Sequence, residues 1–147
     1  MNAICRRDAS MVFSATREQS ATGPPPENSR TLSDSEVFST DRMPATTSVS
    51  GAKTWNILEG VLATGEAIAL HKSLQPAGIA PNPPHTIQHS ELILVQEGTL
   101  LFEHEGSAER VGPGGVIFVA IGTRHAARNV GDGTAKYLVI AMGGDTR

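Results

Sequence analysis

Residues 91–121 read ELILVQEGTLLFEHEGSAERVGPGGVIFVAI, and their rhythm decides the fold. Two apolar runs, Glu91–Val95 and Thr99–Phe102, are parted by Glu97-Gly98. A third, Val116–Ile121, follows the turn-rich Gly112-Pro113-Gly114-Gly115. Glycine and proline at such spacing supply the backbone angles of tight turns and interrupt helices. The same alternation extends outward, with Trp55–Leu58 and Ala67–Leu74 on one side and Tyr137–Met142 on the other. Glu59-Gly60, Pro76-Ala77-Gly78 and Gly131-Asp132-Gly133 punctuate these runs. No stretch after Trp55 has room for a helix of three turns. Many short strands at even intervals predict an all-β domain, either one sheet closed on itself or two facing sheets. Closure also removes the edges that strands with so few charges would otherwise expose.

A chain of 147 residues suits one domain with a modest tail. The tail is expected over residues 1–30 and the β-barrel domain over 31–147. Ser, Thr, Pro, Asp and Glu dominate from Ser20 to Ser50, including Pro24-Pro25-Pro26, and no apolar period survives there. Such a composition buries too little apolar area to offset chain entropy, so a flexible N-terminal segment is predicted. Aromatic residues make up only 4%, which leaves the core to Ile, Leu, Val and Ala. A formal charge of −3, with basic residues scattered singly in the second half, offers no footprint for nucleic acid. The lone Cys5 excludes an internal disulfide and a thiolate zinc cluster. After Arg6-Arg7 only Met11-Val12-Phe13 precedes Ser14, too short for a secretory signal, and no run approaches the about 18 apolar residues of a membrane span. A cytoplasmic protein with no membrane partner is the expectation.

Chemistry concentrates in Pro83-Pro84-His85-Thr86-Ile87-Gln88-His89-Ser90-Glu91. Alternate residues of a strand share a face, which would align His85, Ile87, His89 and Glu91. At about 3.3 Å per residue, however, a straight strand would hold His85 and Glu91 roughly 20 Å apart, too far to share one ion. Convergence therefore requires a bend or bulge between Thr86 and Ser90. Glu91 leads the apolar run Leu92-Ile93-Leu94-Val95, and a carboxylate heading a buried strand is costly unless a cation or hydrogen-bond donors meet it. His71 and His104 read as ordinary surface or half-buried residues, His104 on a solvated hairpin between Glu103, Glu105 and Gly106.

These residues resemble the two sequence motifs of the cupin superfamily. His85, Glu91 and Gly98 fall on the first motif, with Ile87 where a second histidine is usual and Gly78 one residue out of place. Gly114, Gly122, His125 and Asn129 fall on the second motif, with Ala120 where proline is usual. The resemblance implies a small antiparallel jelly-roll barrel and a divalent metal ion held by His85, Glu91 and His125. His89 is a candidate fourth ligand, two residues beyond the missing histidine. Two histidines and a carboxylate suit ferrous iron, with manganese, nickel or zinc as alternatives. A metal-dependent small-molecule enzyme follows, with oxygenase, isomerase and lyase chemistry all open. The rival readings are a non-catalytic small-molecule binding barrel and a dimerising scaffold without metal. Compact relatives commonly form homodimers, and Tyr137–Met142 reads here as a lightly charged edge that would favour one.

Overall fold

The structure is a computed structural model and describes residues 29–146. Most of the expected tail, residues 1–28, lies outside the described residues.

Among the described residues, eleven strands form two sheets. The larger contains β1 (Thr31–Leu32), β2 (Thr46–Thr47), β3 (Lys53–Leu62), β4 (Ala67–Gln75), β6 (Ser90–Glu97), β9 (Val116–Val119) and β11 (Ala135–Met142), in the order β1-β3-β4-β11-β6-β9 with β2 on β3. The smaller has the order β5-β10-β7-β8, made of β5 (His85–Thr86), β7 (Leu100–His104), β8 (Ser107–Val111) and β10 (Arg124–Asn129). All pairings are antiparallel except β1 with β3. The single helical turn among the described residues, Thr40–Arg42, lies before Trp55. The all-β reading holds, in its two-sheet form.

The core lies between the sheets. Ile93 and Val95 from β6, Val139 and Tyr137 from β11, Ile117 and Val119 from β9, and Leu100 and Phe102 from β7 form one buried cluster. Alternation carries it: β11 is buried at Ala135, Tyr137, Val139 and Ala141, while Leu138 and Ile140 face outward. Tyr137–Met142 is not an edge. It lies between β4 and β6, and its apolar residues on both faces are those of an interior strand. The apolar edge is β9, where Val116 and Phe118 are 59% and 62% exposed.

Gly98 sits in the turn that carries the chain from β6 in the larger sheet to β7 in the smaller, at φ 77°, a region costly for residues with a Cβ. A Cβ there would meet Ala135 Cα at 2.7 Å and the Thr134 carbonyl oxygen at 2.8 Å. Both obstacles are backbone or next to it, so neither can rotate away. Gly98→Ala is expected to destabilise the domain by at least about 2 kcal/mol, combining backbone strain with overpacking. Urea unfolding measures this, and an unchanged midpoint would refute the close approach.

Candidate metal and ligand site

The segment between β5 and β6 makes the predicted bend by crossing from the smaller sheet to the larger. Ile87 and His89 are buried along it and Gln88 is exposed. Ile87 is 5% exposed and part of the apolar cluster, and its carbonyl accepts a hydrogen bond from the Gly122 N–H at 3.0 Å. The position expected to carry a second histidine therefore serves the core.

His85 opens β5 directly opposite His125 of β10, with ring centroids 4.7 Å apart. It is exposed, while His125 is 3% exposed. Glu91, one residue into β6, is 9% exposed and points between the sheets. His89 Nε2 lies 2.8 Å from Glu91 Oε1, and His125 Nε2 lies 3.7 Å from Glu91 Oε2. The structure thus gathers His89 and His125 on the two oxygens of one carboxylate and leaves His85 at the rim, against the outer face of His125. Among the described residues, no group of three or more His, Cys, Asp or Glu side chains is placed to hold a metal ion as they stand.

Proton placement defines what this cluster lacks. His89 Nδ1 faces the Asp145 carbonyl at 2.5 Å, and His125 Nδ1 faces the Thr123 carbonyl at 3.2 Å. A carbonyl only accepts, so each Nδ1 carries a hydrogen, and the ring turns its Nε2 towards Glu91, with His89 Nε2 at hydrogen-bond distance from Oε1. Two Nε2 atoms thus converge on one carboxylate, and each offers a lone pair once it carries no hydrogen. A cation satisfies such a set, and backbone anchoring of Nδ1 is how metal-binding histidines are ordinarily oriented. Two donors about 2.1 Å from a shared ion stand about 3.0 Å apart at right angles and farther at wider angles; the 3.7 Å His125–Glu91 contact falls in that range, and the 2.8 Å His89–Glu91 contact must open slightly to admit an ion. The donor chemistry fits a divalent ion.

The C-terminal segment fixes this arrangement. The Asp145 N–H donates to the Gln88 carbonyl at 3.0 Å, and a Cβ on Gly144 would lie 2.0 Å from the same oxygen. The Asp145 carbonyl reaches His89 because glycine allows that approach.

Next to the cluster is a cavity of about 190 Å³ whose lining includes His71, Ser73, His85, Glu91, His125 and Tyr137. This is smaller than the about 300–1,000 Å³ of pockets for drug-sized ligands. His71 was expected to be an ordinary surface or half-buried residue. It is half-buried, but it faces this cavity, two positions from Ala69 along the inward side of β4. His104 ends β7 opposite His125, its side chain 30% exposed and its ring 4.8 Å from Phe102.

Burial holds the His71 and His125 imidazoles below their ordinary pKa of 6.5. Glu91 opposes this in both, as does the Thr123 carbonyl at His125. The folded chain therefore binds fewer protons than the unfolded chain near and below pH 6.5, and stability is lost as pH falls through that value. For protein without added metal, the melting temperature should drop between about pH 7.5 and about pH 5.5, above the carboxylate range. His71→Gln should make the drop shallower. A melting temperature that is flat or rises on acidification would contradict buried neutral rings.

The sequence profile of the cupin domain family matches residues 70–141, spanning every residue of the cluster except Asp145. Residues 70–141 thus form a cupin domain. Solved structures repeat the architecture at low identity. KdgF from Halomonas sp. is 16% identical, covers 76% of this chain and 96% of its own, and has a TM-score of 0.65. An RmlC-like cupin from Shewanella frigidimarina is 20% identical over 77% of this chain and 95% of its own, with a TM-score of 0.62. A predicted oxalate decarboxylase from Thermotoga maritima is 15% identical over 74% and 99%, with a TM-score of 0.60. No curated protein matches. No described helix is long and apolar enough to cross a membrane.

Proposed function

We propose that this chain is a metal-dependent small-molecule enzyme whose ion is held by His89 Nε2, Glu91 and His125 Nε2. The convergence of two backbone-anchored imidazole Nε2 atoms on one buried carboxylate supports this reading. The fold also occurs in structures described as enzymes, the predicted oxalate decarboxylase and the polyketide cyclase RemF from Streptomyces resistomycificus among them. His85 is the fourth candidate ligand, lying beside His125 at the exposed rim. When bound, a divalent ion with open positions acts as a Lewis acid towards a ligand oxygen or activates dioxygen.

The chain's own residues set the conditions for that chemistry. The Thr123 and Asp145 carbonyls keep the Nε2 atoms turned towards Glu91. Ile93 and Val139 wall the cavity with apolar surface and limit water. The cavity volume restricts the ligand to a small metabolite, and oxygenase, isomerase and lyase reactions are all compatible with these residues.

Metal analysis of protein purified without chelators tests the proposal. One divalent ion per chain is expected. Glu91→Ala, His125→Ala and His89→Ala should each weaken binding by more than the about 10–100-fold seen on removing a group that merely orients a ligand. His104→Ala should leave binding unchanged. Full occupancy in His125→Ala, or a wild-type chain that takes up no iron, manganese, nickel or zinc, would refute the proposal in favour of a metal-free binding barrel.

A further inference from the structure

A chain of directed hydrogen bonds ends in the cavity. The Asn129 N–H donates to Gln75 Oε1 at 3.0 Å, which turns the Gln75 amide nitrogen towards Tyr137. Asn129 is itself fixed, its Nδ2 donating to the Gln75 carbonyl at 2.9 Å and the Gly133 carbonyl at 2.7 Å, while its Oδ1 accepts from the Gly131 N–H at 2.9 Å. Gln75 Nε2 accordingly donates to the Tyr137 phenol oxygen at 2.7 Å. Ser73 stands directly across the ladder from Tyr137 and is its second hydrogen-bond partner.

Counting protons shows a surplus. The bond between the two hydroxyls uses one of their two hydrogens, whichever oxygen donates. The oxygen facing Gln75 is already an acceptor, so one O–H is left over. Neither side chain has a further partner among the described residues, and both line the cavity. Burial, reinforced by the Glu91 charge and opposed by the Ser73 and Gln75 hydrogen bonds, pushes the Tyr137 phenol above its ordinary pKa and keeps it a donor.

We propose that the Tyr137–Ser73 hydroxyl pair, aligned by Gln75 and Asn129, recognises one end of a small monocarboxylate whose carboxylate binds at the Glu91 centre. The inference rests on the metal reading above and adds the ligand class. A divalent ion with open positions takes an anionic oxygen. The hydroxyl end takes an oxygen acceptor, and Lys and Arg are absent from the described lining. A second carboxylate there would be buried without a countercharge, so the second oxygen is uncharged, a carbonyl or hydroxyl. Ile93 and Val139 line the cavity with apolar surface that suits a short carbon link.

Calorimetry on the zinc-loaded full chain tests this with 3-oxobutanoate, 4-oxopentanoate and 5-oxohexanoate, each against the alkyl acid of the same length without the oxo group. At least one oxo acid should bind about tenfold tighter than its counterpart, as for one well-formed hydrogen bond in a buried site. Tyr137→Phe should erase the preference while leaving zinc content unchanged. Tyr137 is the sole tyrosine of the chain, so its ultraviolet difference spectrum reports the contact in the unsubstituted protein as well. Equal binding of oxo and alkyl acids, no binding by any oxo acid, a preference that survives Tyr137→Phe, or binding without change in the tyrosine absorption would each overturn the inference. Failure of the wild-type chain to load zinc overturns instead the metal reading and the carboxylate end with it. The tyrosine spectrum with 4-oxopentanoate on the metal-free chain then decides the hydroxyl end, and an unchanged spectrum overturns that as well.

Discussion

A buried carboxylate is the constraint on which the site depends. Glu91 is the second residue of a strand that is otherwise a core strand, and its neighbours on β11 and β9 are Ala141 and Val119. Nothing apolar there solvates a negative charge, and an uncompensated one costs several kcal/mol. The surroundings answer with two imidazoles rather than a lysine or arginine. Each imidazole is fastened by its far nitrogen to a backbone carbonyl, Thr123 in one case and Asp145 in the other. Those two carbonyls determine which nitrogen meets the carboxylate. They belong to the turn before β10 and to the C-terminal segment, so residues distant in sequence impose one ring orientation.

The barrel supports this by dividing its interior. Leu100, Val95 and Phe102 pack an apolar region, while His71, Ser73, Glu91 and His125 give a polar lining to the cavity. On β4 the polar residues His71, Ser73 and Gln75 face inward, and Ile68, Leu70 and Leu74 face outward. This inverts the usual pattern of a half-solvated strand. The inversion makes chemical sense because β4 borders the cavity.

That inversion also marks where the sequence was legible and where it was not. The all-β fold was readable because Gly98, Gly112–Gly115 and Gly131–Gly133 break short apolar runs at strand length, while the choice between one closed sheet and two facing sheets was not. Glu91 stood out as a carboxylate heading such a run, and His125 through the glycine spacing of the second motif. Three features depend on contacts between distant residues. His89 meets Glu91 only because residues 87–89 cross between sheets, and its orientation depends on Asp145, 56 residues later. His71 looked unremarkable because an apolar face normally turns inward, and here it does not. Tyr137–Met142 read as an exposed edge because sequence order does not show that β11 inserts between β4 and β6. In hindsight, the spacing of His71, Ser73 and Gln75 at every second residue was the available signal for the cavity wall.

The central claim is that the two anchored imidazoles and Glu91 share one cation. Anomalous diffraction from crystals grown with nickel or zinc tests it most directly, since the signal locates the ion independently of any assumed geometry. The account predicts one peak per chain between His89 Nε2, the Glu91 carboxylate and His125 Nε2, with both Nδ1 atoms still on the Asp145 and Thr123 carbonyls. A crystal with no peak there, and His89 simply hydrogen-bonded to Glu91 as a charged imidazolium, would contradict it.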